Sequence, residues 1–402
     1  MTVFLDVEMR CSPPWMRFLS EPQAKSFPEV SPSLCFERKW SSLYQAFQDG
    51  RMNEKSLRDI FVRYLPKADA GKWVWIGIDA SKIARPDAVT EASRTAQQVH
   101  NLPECKKPIT FGWQFSTVVV LPEEPSSWTY VLDQQRVASK TTAIEVALVP
   151  LKRLVAHLPK NALIVLDRGY DANWLWCQGS SLGIGVLCRL KNNRCLYRPA
   201  PPPTGKKGGR GIDGAQLQPT DATTHAHPDG TWSGTDNKGR PVEITWWKHL
   251  HVKPARWLDV TVIRVVRPHA TNKERDPRVS WFAWIGDAEV DIAQIGLGYA
   301  RRFGQEHGYR FDKQALLWET PRLRTDIRSL SAGAIVLPLP TIIWYWPAIW
   351  SKENCALGKT SSASQARNRC DAGSASCCHV WAPLLNHPNL AENRKAGPKG
   401  QR

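Results

Sequence analysis

Tyr299, Arg302, Glu306 and Lys313 stand at offsets 0, 3, 7 and 14 in GYARRFGQEHGYRFDKQALLW, a segment without proline until Pro321. A helix advances about 100° per residue, so these spacings bring four polar side chains to one face. Such a face makes a poor core stripe, but it can hold one carboxylate beside cations able to touch phosphate. Two more acids follow apolar runs that read as strands: Asp79 after WVWIGI and Asp167 after ALIVL. Strand-end carboxylates can converge at one edge of a sheet, and a helix alongside can supply the third. A cluster of hard oxygen donors suits Mg²⁺ or Mn²⁺ rather than zinc. Two such ions about 4 Å apart activate the attacking oxygen and stabilise the leaving oxygen in phosphoryl transfer. That chemistry needs no protein nucleophile. Taken singly, each residue has an ordinary reading: an Asp after a strand often caps a turn or helix. Arg302 and Glu306 at i, i+4 could be a surface pair contributing a few tenths of a kcal/mol.

The elements needed to position these residues are legible in outline. Residues 34–66 read as helical, with KWSSLYQAFQDG ending at a glycine and NEKSLRDIFVRYL following at spacings of three and four. They suit either a DNA-binding unit or a helical cap on the main domain. Strands are expected at 73–79, 111–121, 162–167 and 182–190, with a helix over 141–158. That order predicts an α/β layer with a mixed sheet. The segment 199–230, rich in Pro, Gly and polar residues, is expected to be loop, with Lys206 and Lys207 on a tether able to follow a phosphate backbone. Strands resume at 241–252, 257–266 and 280–287, which reads as an inserted β-rich subdomain ahead of the helix bearing Glu306.

Composition narrows the partner. Lys and Arg number 54 against 37 Asp and Glu, a formal charge of +17 spread along the chain. Such a field favours a polyanion and makes binding salt-sensitive, although a merely basic protein would share it. None of the ten cysteines forms a CxxC pair, so zinc-finger spacing is absent and reduced thiols in a cytoplasm are expected. The uncharged run at 332–350 is broken by Pro338, Pro340 and Pro347, which argues against a membrane span. After about residue 325 the composition changes abruptly and periodicity is lost. We read 326–402 as an atypical tail, either frameshifted or disordered.

The three acidic regions together, GIDASKIARPDAVTEASR, VLDRGYD and YARRFGQEHGYRFDK, resemble the insertion-sequence transposases of the DDE type that carry a Tyr-Arg-Glu-Lys signature. The resemblance covers about residues 40–325. It implies a ribonuclease-H-like mixed sheet flanked by helices, interrupted by a β-rich insertion before the last acid. The expected division is 1–70 N-terminal helical region, 71–195 first part of the catalytic domain, 196–290 insertion, 291–325 catalytic helix, and 326–402 tail. It further implies Asp79, Asp167 and Glu306 as catalytic ligands of Mg²⁺, with Mn²⁺ as substitute. Tyr299, Arg302 and Lys313 would position transposon-end DNA. Asp87 and Asp171 are rival acids, and Arg85, Arg94 and Arg168 are candidate phosphate contacts. In relatives with a β insertion an aromatic can stack on a displaced base, a role that Trp246 or Trp247 would fill. The implied partners are terminal inverted repeats and target DNA, bound by a homodimer at the bacterial nucleoid and not at a membrane. A related endonuclease and a non-enzymatic DNA-binding remnant are the alternatives.

Overall fold

The computed structural model describes residues 53–65, 71–89, 94–98, 109–123, 129–202, 211–271, 277–287 and 289–314, with Glu29 and Ser41. The first predicted helix apart from Ser41, the Lys206–Lys207 tether and everything beyond Gln314, including the atypical tail, lie outside the described residues.

Among the described residues twelve strands join in one sheet. At its centre β1 (Val74–Ala84) pairs antiparallel with β3 (Ile109–Val120) on one side and parallel with β5 (Ala162–Leu166) on the other. β6 (Gly185–Arg189) continues in parallel from β5. The outer edge of β3 takes β2 (Thr95–Gln98) along its first residues and β4 (Tyr130–Val137) along the rest. The order β4-β3-β1-β5-β6, with only β3 reversed, is the ribonuclease-H-like mixed sheet. Val74, Ile76 and Ile78 alternate along one face of β1 and are almost fully buried.

The insertion extends this sheet instead of starting a layer of its own. β12 (Val279–Ile285) pairs antiparallel with β6, and β11 (Ala255–Val266) and β10 (Pro241–Val252) follow outward. β7 (Leu196–Pro199), β8 (Asp213–Leu217) and β9 (Gly230–Thr235) complete the edge. Part of 199–230, expected as loop, is therefore strand: β8 is pinned by Asp213, which binds His251 and Arg256 at 2.9 and 2.7 Å. In β10 a bulge follows Trp247, and His249 takes a positive φ of 54° there.

Helices pack on this frame. α1 (Glu54–Arg63) starts at an Asn53 cap and buries Leu57 and Phe61, which lie on one face. It docks on β4 through Tyr130, whose hydroxyl donates to Phe61 O, and through an Arg58–Asp133 ion pair at 2.9 Å. α2 (Ala143–Leu154) opens with a Thr142–Glu145 capping box and crosses β3 and β4. α3 (Asn173–Ser181) lies by β6. α4 (Ile292–Gly298) is capped by Asp291 and passes through a 3₁₀ turn (Tyr299–Arg302) into α5 (Phe303–Gln314). No helix among the described residues is long and apolar enough to cross a membrane.

Candidate active site

Asp79 is not at the end of its strand, as the apolar run implied. β1 continues to Ala84, paired with β3 alone once β5 has stopped. The last parallel pair is Gly77 with Val165, so two residues further along each strand stand Asp79 and Asp167. Each commits one carboxylate oxygen to nearby backbone: Asp79 Oδ1 accepts from Ala80 N, and Asp167 Oδ1 accepts from Gly169 N, both at 2.8 Å. The second bond caps the turn Arg168–Tyr170. Both Oδ2 atoms are left facing the same cation.

That cation is Arg302. Its Nη2 lies 2.9 Å from Asp79 Oδ2 and 3.5 Å from Asp167 Oδ2, while Nη1 donates to Glu306 Oε1 at 2.9 Å. One guanidinium thus gathers acids from two strands and a helix. Close packing brings it there. Gly298 and Gly77 let the helical segment lie directly on β1, since a Cβ at Gly298 would run into the Trp75 indole and one at Gly77 into Gln305 Oε1. Gln305 Nε2 donates to Thr117 O at 3.1 Å, Tyr309 Oη to Asp79 O at 2.8 Å, and Lys313 Nζ to Lys82 O at 2.6 Å. The segment is fastened to the sheet beneath Asp79 and on both sides of it.

The electrostatics follow from burial. Arg302 is 8% exposed, Asp79 19% and Glu306 48%, so the charge density deepens from helix rim to sheet. Desolvation raises the Asp79 carboxyl to about 6, with help from the charges of Asp167 and Glu306; Arg302 and the Ala80 N–H restrain the rise. Burial disfavours the charged Arg302, but Asp79, Tyr299, Asp167 and Glu306 outweigh it and hold the guanidinium more firmly protonated than usual. Beneath the acids Tyr170 is buried, its hydroxyl kept protonated by desolvation and by Asp79 and Asp167.

Several expected residues stand elsewhere. Tyr299 packs its ring on Phe282 at 4.5 Å, and burial pushes its hydroxyl up to about 12, so it lines the interior side of the turn. Lys313 is occupied on the backbone of β1. Trp247 is a core residue, 3% exposed, stacked on Trp281 at 5.6 Å and donating to Ala226 O. Trp246 is half-buried over Gly230. Asp171 is buried, bound by Arg194 at 2.5 Å and Lys191 N at 2.8 Å, whereas Asp87 is exposed in a turn. Arg94 donates to Pro86 O and Arg85 O, and Arg85 to Ala84 O, while Arg168 is exposed beside Asp167. The sequence reading missed Gln305, Tyr309 and Tyr170. Gln305 and Tyr309 continue from Arg302 at helical spacing, a signal present but overshadowed by the charged residues.

A family model for the DDE superfamily endonucleases matches residues 17–251, more than half of the chain. The chain belongs to the DDE superfamily endonucleases. The matched span contains the strands bearing Asp79 and Asp167 but ends before Glu306. No curated protein matches the chain. Membership implies nucleic acid as substrate and nuclease chemistry.

The donors fit a divalent ion in kind: three carboxylates, hard and anionic, arriving from three elements. Among the described residues no three such side chains stand close enough together to hold one directly. The Arg302 guanidinium lies within contact distance of all three.

Proposed function

We propose that this chain is a DNA transposase that hydrolyses a phosphodiester at each end of its element and joins the freed 3′-OH to target DNA. The observation that carries the reading is the convergence of Asp79, Asp167 and Glu306 on one buried guanidinium, on a ribonuclease-H-like sheet. The three carboxylates would hold Mg²⁺ or Mn²⁺, which supplies Lewis-acid activation of the attacking and leaving oxygens. Asp79 and Asp167 each fix one oxygen on a backbone N–H, which orients the other toward the site. Glu306, the most exposed of the three, approaches from the helix and faces the solvent through which DNA must come.

The net charge of +17 supports a polyanionic partner. Terminal inverted repeats and target DNA are the partners we propose, bound by a homodimer in a bacterial cytoplasm at the nucleoid. Arg168, exposed next to Asp167, is the cation best suited to phosphate at the site; Tyr299 and Lys313 would act by fixing the helix. Trp246 is the better candidate for base stacking, because Trp247 is committed to the core. Lys206 and Lys207 are proposed as backbone contacts on sequence grounds.

The test is cleavage of labelled DNA carrying the element's end, in Mg²⁺, by this chain and by Glu306→Gln. End cleavage followed by strand transfer, both absent in the variant, supports a transposase. Cleavage without transfer supports an endonuclease of the same family. DNA binding with no cleavage by either protein leaves a decayed remnant and refutes the reading.

A further inference from the structure

Resting on the metal-site reading above, we infer that Arg302 is a positioning residue that competes with the divalent cation for the same three carboxylates, and that it must give them up for the site to load. Four observations carry this. First, Arg302 touches all three acids at once, through Nη1 and Nη2, at 2.9, 3.5 and 2.9 Å. A guanidinium satisfies carboxylates with directed hydrogen bonds and one positive charge, the two demands a metal ion meets by coordination. Second, Arg302 takes the particular oxygens, Oδ2 of Asp79 and Oδ2 of Asp167, that local backbone leaves uncommitted. An ion drawn to those oxygens would have to share them with a like-charged guanidinium at hydrogen-bond distance, which weakens its binding.

Third, the acids stand apart around the guanidinium, so that no three metal-binding side chains among the described residues converge on one point. Arg302 keeps the carboxylates near one another against their mutual repulsion, yet at a spacing of its own. Fourth, the guanidinium is poorly settled where it is. Its Nε is buried and finds no acceptor among the described residues, a defect that outward rotation would relieve. It sits in a 3₁₀ turn between α4 and α5, where backbone hydrogen bonding differs from that of the helices on either side. Glu306, at i+4 and half-exposed, can stay paired with a displaced Arg302 while the two strand acids are released.

The arrangement does two things. It holds like charges together so that the sheet edge tolerates them. It also sets a threshold: an ion must outcompete a tethered cation, which favours loading when something else, such as a DNA phosphate, offers Arg302 a new anion. Phosphate is the natural recipient, since the same fork that clasps a carboxylate clasps a phosphate.

The experiment measures Mn²⁺ uptake by the full chain without DNA, from the loss of the free-ion EPR signal, for wild type, Arg302→Gln, Arg302→Lys and Asp79→Asn. Competition predicts that Arg302→Gln binds Mn²⁺ about tenfold more tightly than wild type, or better. Arg302→Lys should fall between, because an ammonium keeps the charge without the fork. Asp79→Asn should bind most weakly. A second readout is taken on wild type itself: the ¹⁵N side-chain signal of Arg302, identified as the one missing from folded Arg302→Lys, should shift as Mg²⁺ is added. Equal or weaker Mn²⁺ uptake by Arg302→Gln, or an Arg302 signal indifferent to Mg²⁺ that does bind, would overturn competition and leave the metal site standing. Absence of Mn²⁺ uptake by wild type and every variant would instead remove the metal-site reading, and this inference with it.

Discussion

Asp167 and Asp171 lie four residues apart in VLDRGYD, and their surroundings assign them opposite roles that stability and activity measurements can separate. Asp171 has no exposed side-chain surface; Arg194 Nη2 lies 2.5 Å from Oδ1, and Lys191 N donates to Oδ2 at 2.8 Å. Changing Arg194→Met would strand that carboxylate with a single backbone donor in a dry site. Breaking a buried pair from one side costs about 3–5 kcal/mol. At roughly 2–4 °C per kcal/mol for a domain of this order, the melting temperature should fall by at least about 6 °C. Asp171→Asn is gentler, because Asn still accepts from Lys191 N and Arg194 retains Asn173 Oδ1 and Asp171 O, so a loss of about 1–3 kcal/mol is expected. Asp167→Asn should behave in the reverse manner. Its side chain is 35% exposed, and an amide oxygen still caps Gly169 N, so melting should change by under about 1 kcal/mol while metal-dependent cleavage disappears. Thermal melting and end cleavage on the same preparations decide. An Asp171→Asn protein that melts like wild type but no longer cleaves would make Asp171 the catalytic acid and refute this division.

Tyr309→Phe removes the hydroxyl that donates to Asp79 O at 2.8 Å; it should cost about 0.5–1.5 kcal/mol in stability and reduce cleavage in a folded protein, checked by melting and turnover. Unchanged turnover would exclude Tyr309 from positioning the helix. Trp247→Ala should destabilise by about 3–5 kcal/mol, since it empties a stacked core site. Trp246→Ala should spare the fold and, if Trp246 stacks on a base, weaken DNA binding by about 1–3 kcal/mol, read by titration at fixed salt. The insertion should also show an acid limb. Hydrogen bonds from Arg256 and His251, and their charges, hold Asp213 well below its ordinary value of 3.8. A carboxyl with a depressed folded value adds stability above its unfolded value and loses it as pH falls toward the folded one. Asp213→Asn should therefore lower the unfolding midpoint at pH 7, with the gap between the two proteins starting to narrow only below about pH 4 and closing as the folded-state value is approached; parallel curves would show that Asp213 does not clamp β8.

What could be read from the sequence, and what could not, divides along physical lines. β10 is found at its full extent because PVEITW alternates as a half-buried strand does and apolar residues continue to Val252 past the bulge. β2, with the sequence TAQQ, has no apolar pattern at all; it exists because the edge of β3 offers unpaired backbone groups. β4 carries no clear apolar pattern because DQQ interrupts it. Those polar residues are buried by partners far along the chain, Asp133 by Arg58 and Arg153, and Gln134 by Thr117. The acids are legible as types at strand ends that can converge on one edge, and the sheet register explains the meeting of Asp79 and Asp167. Arg302 as their common partner was not legible. Its spacing to Glu306 says only that the two can pair, and nothing local reports that the turn around Arg302 lies against β1.

That juxtaposition depends on the insertion. α4, which leads into the Arg302 turn, buries Ile292 and Ile295, and its Gly296 lies against Ile263 and Val265 of β11 and Ile244 of β10. The following residues cross to the central strands, where Gly298 meets Trp75 of β1 and Gln305 meets Thr117 of β3. The helical segment bearing the third acid thus rests half on the inserted strands and half on the central strands. β12 fastens the two halves by pairing directly with β6. A continuous sheet resists bending between the two halves better than a hinged subdomain would. Had the insertion been a separate layer, every rotation of it would have carried Arg302 and Glu306 away from Asp79. By extending the sheet instead, the chain makes the position of its last acid a consequence of strand register, which backbone hydrogen bonds hold to within a fraction of an ångström.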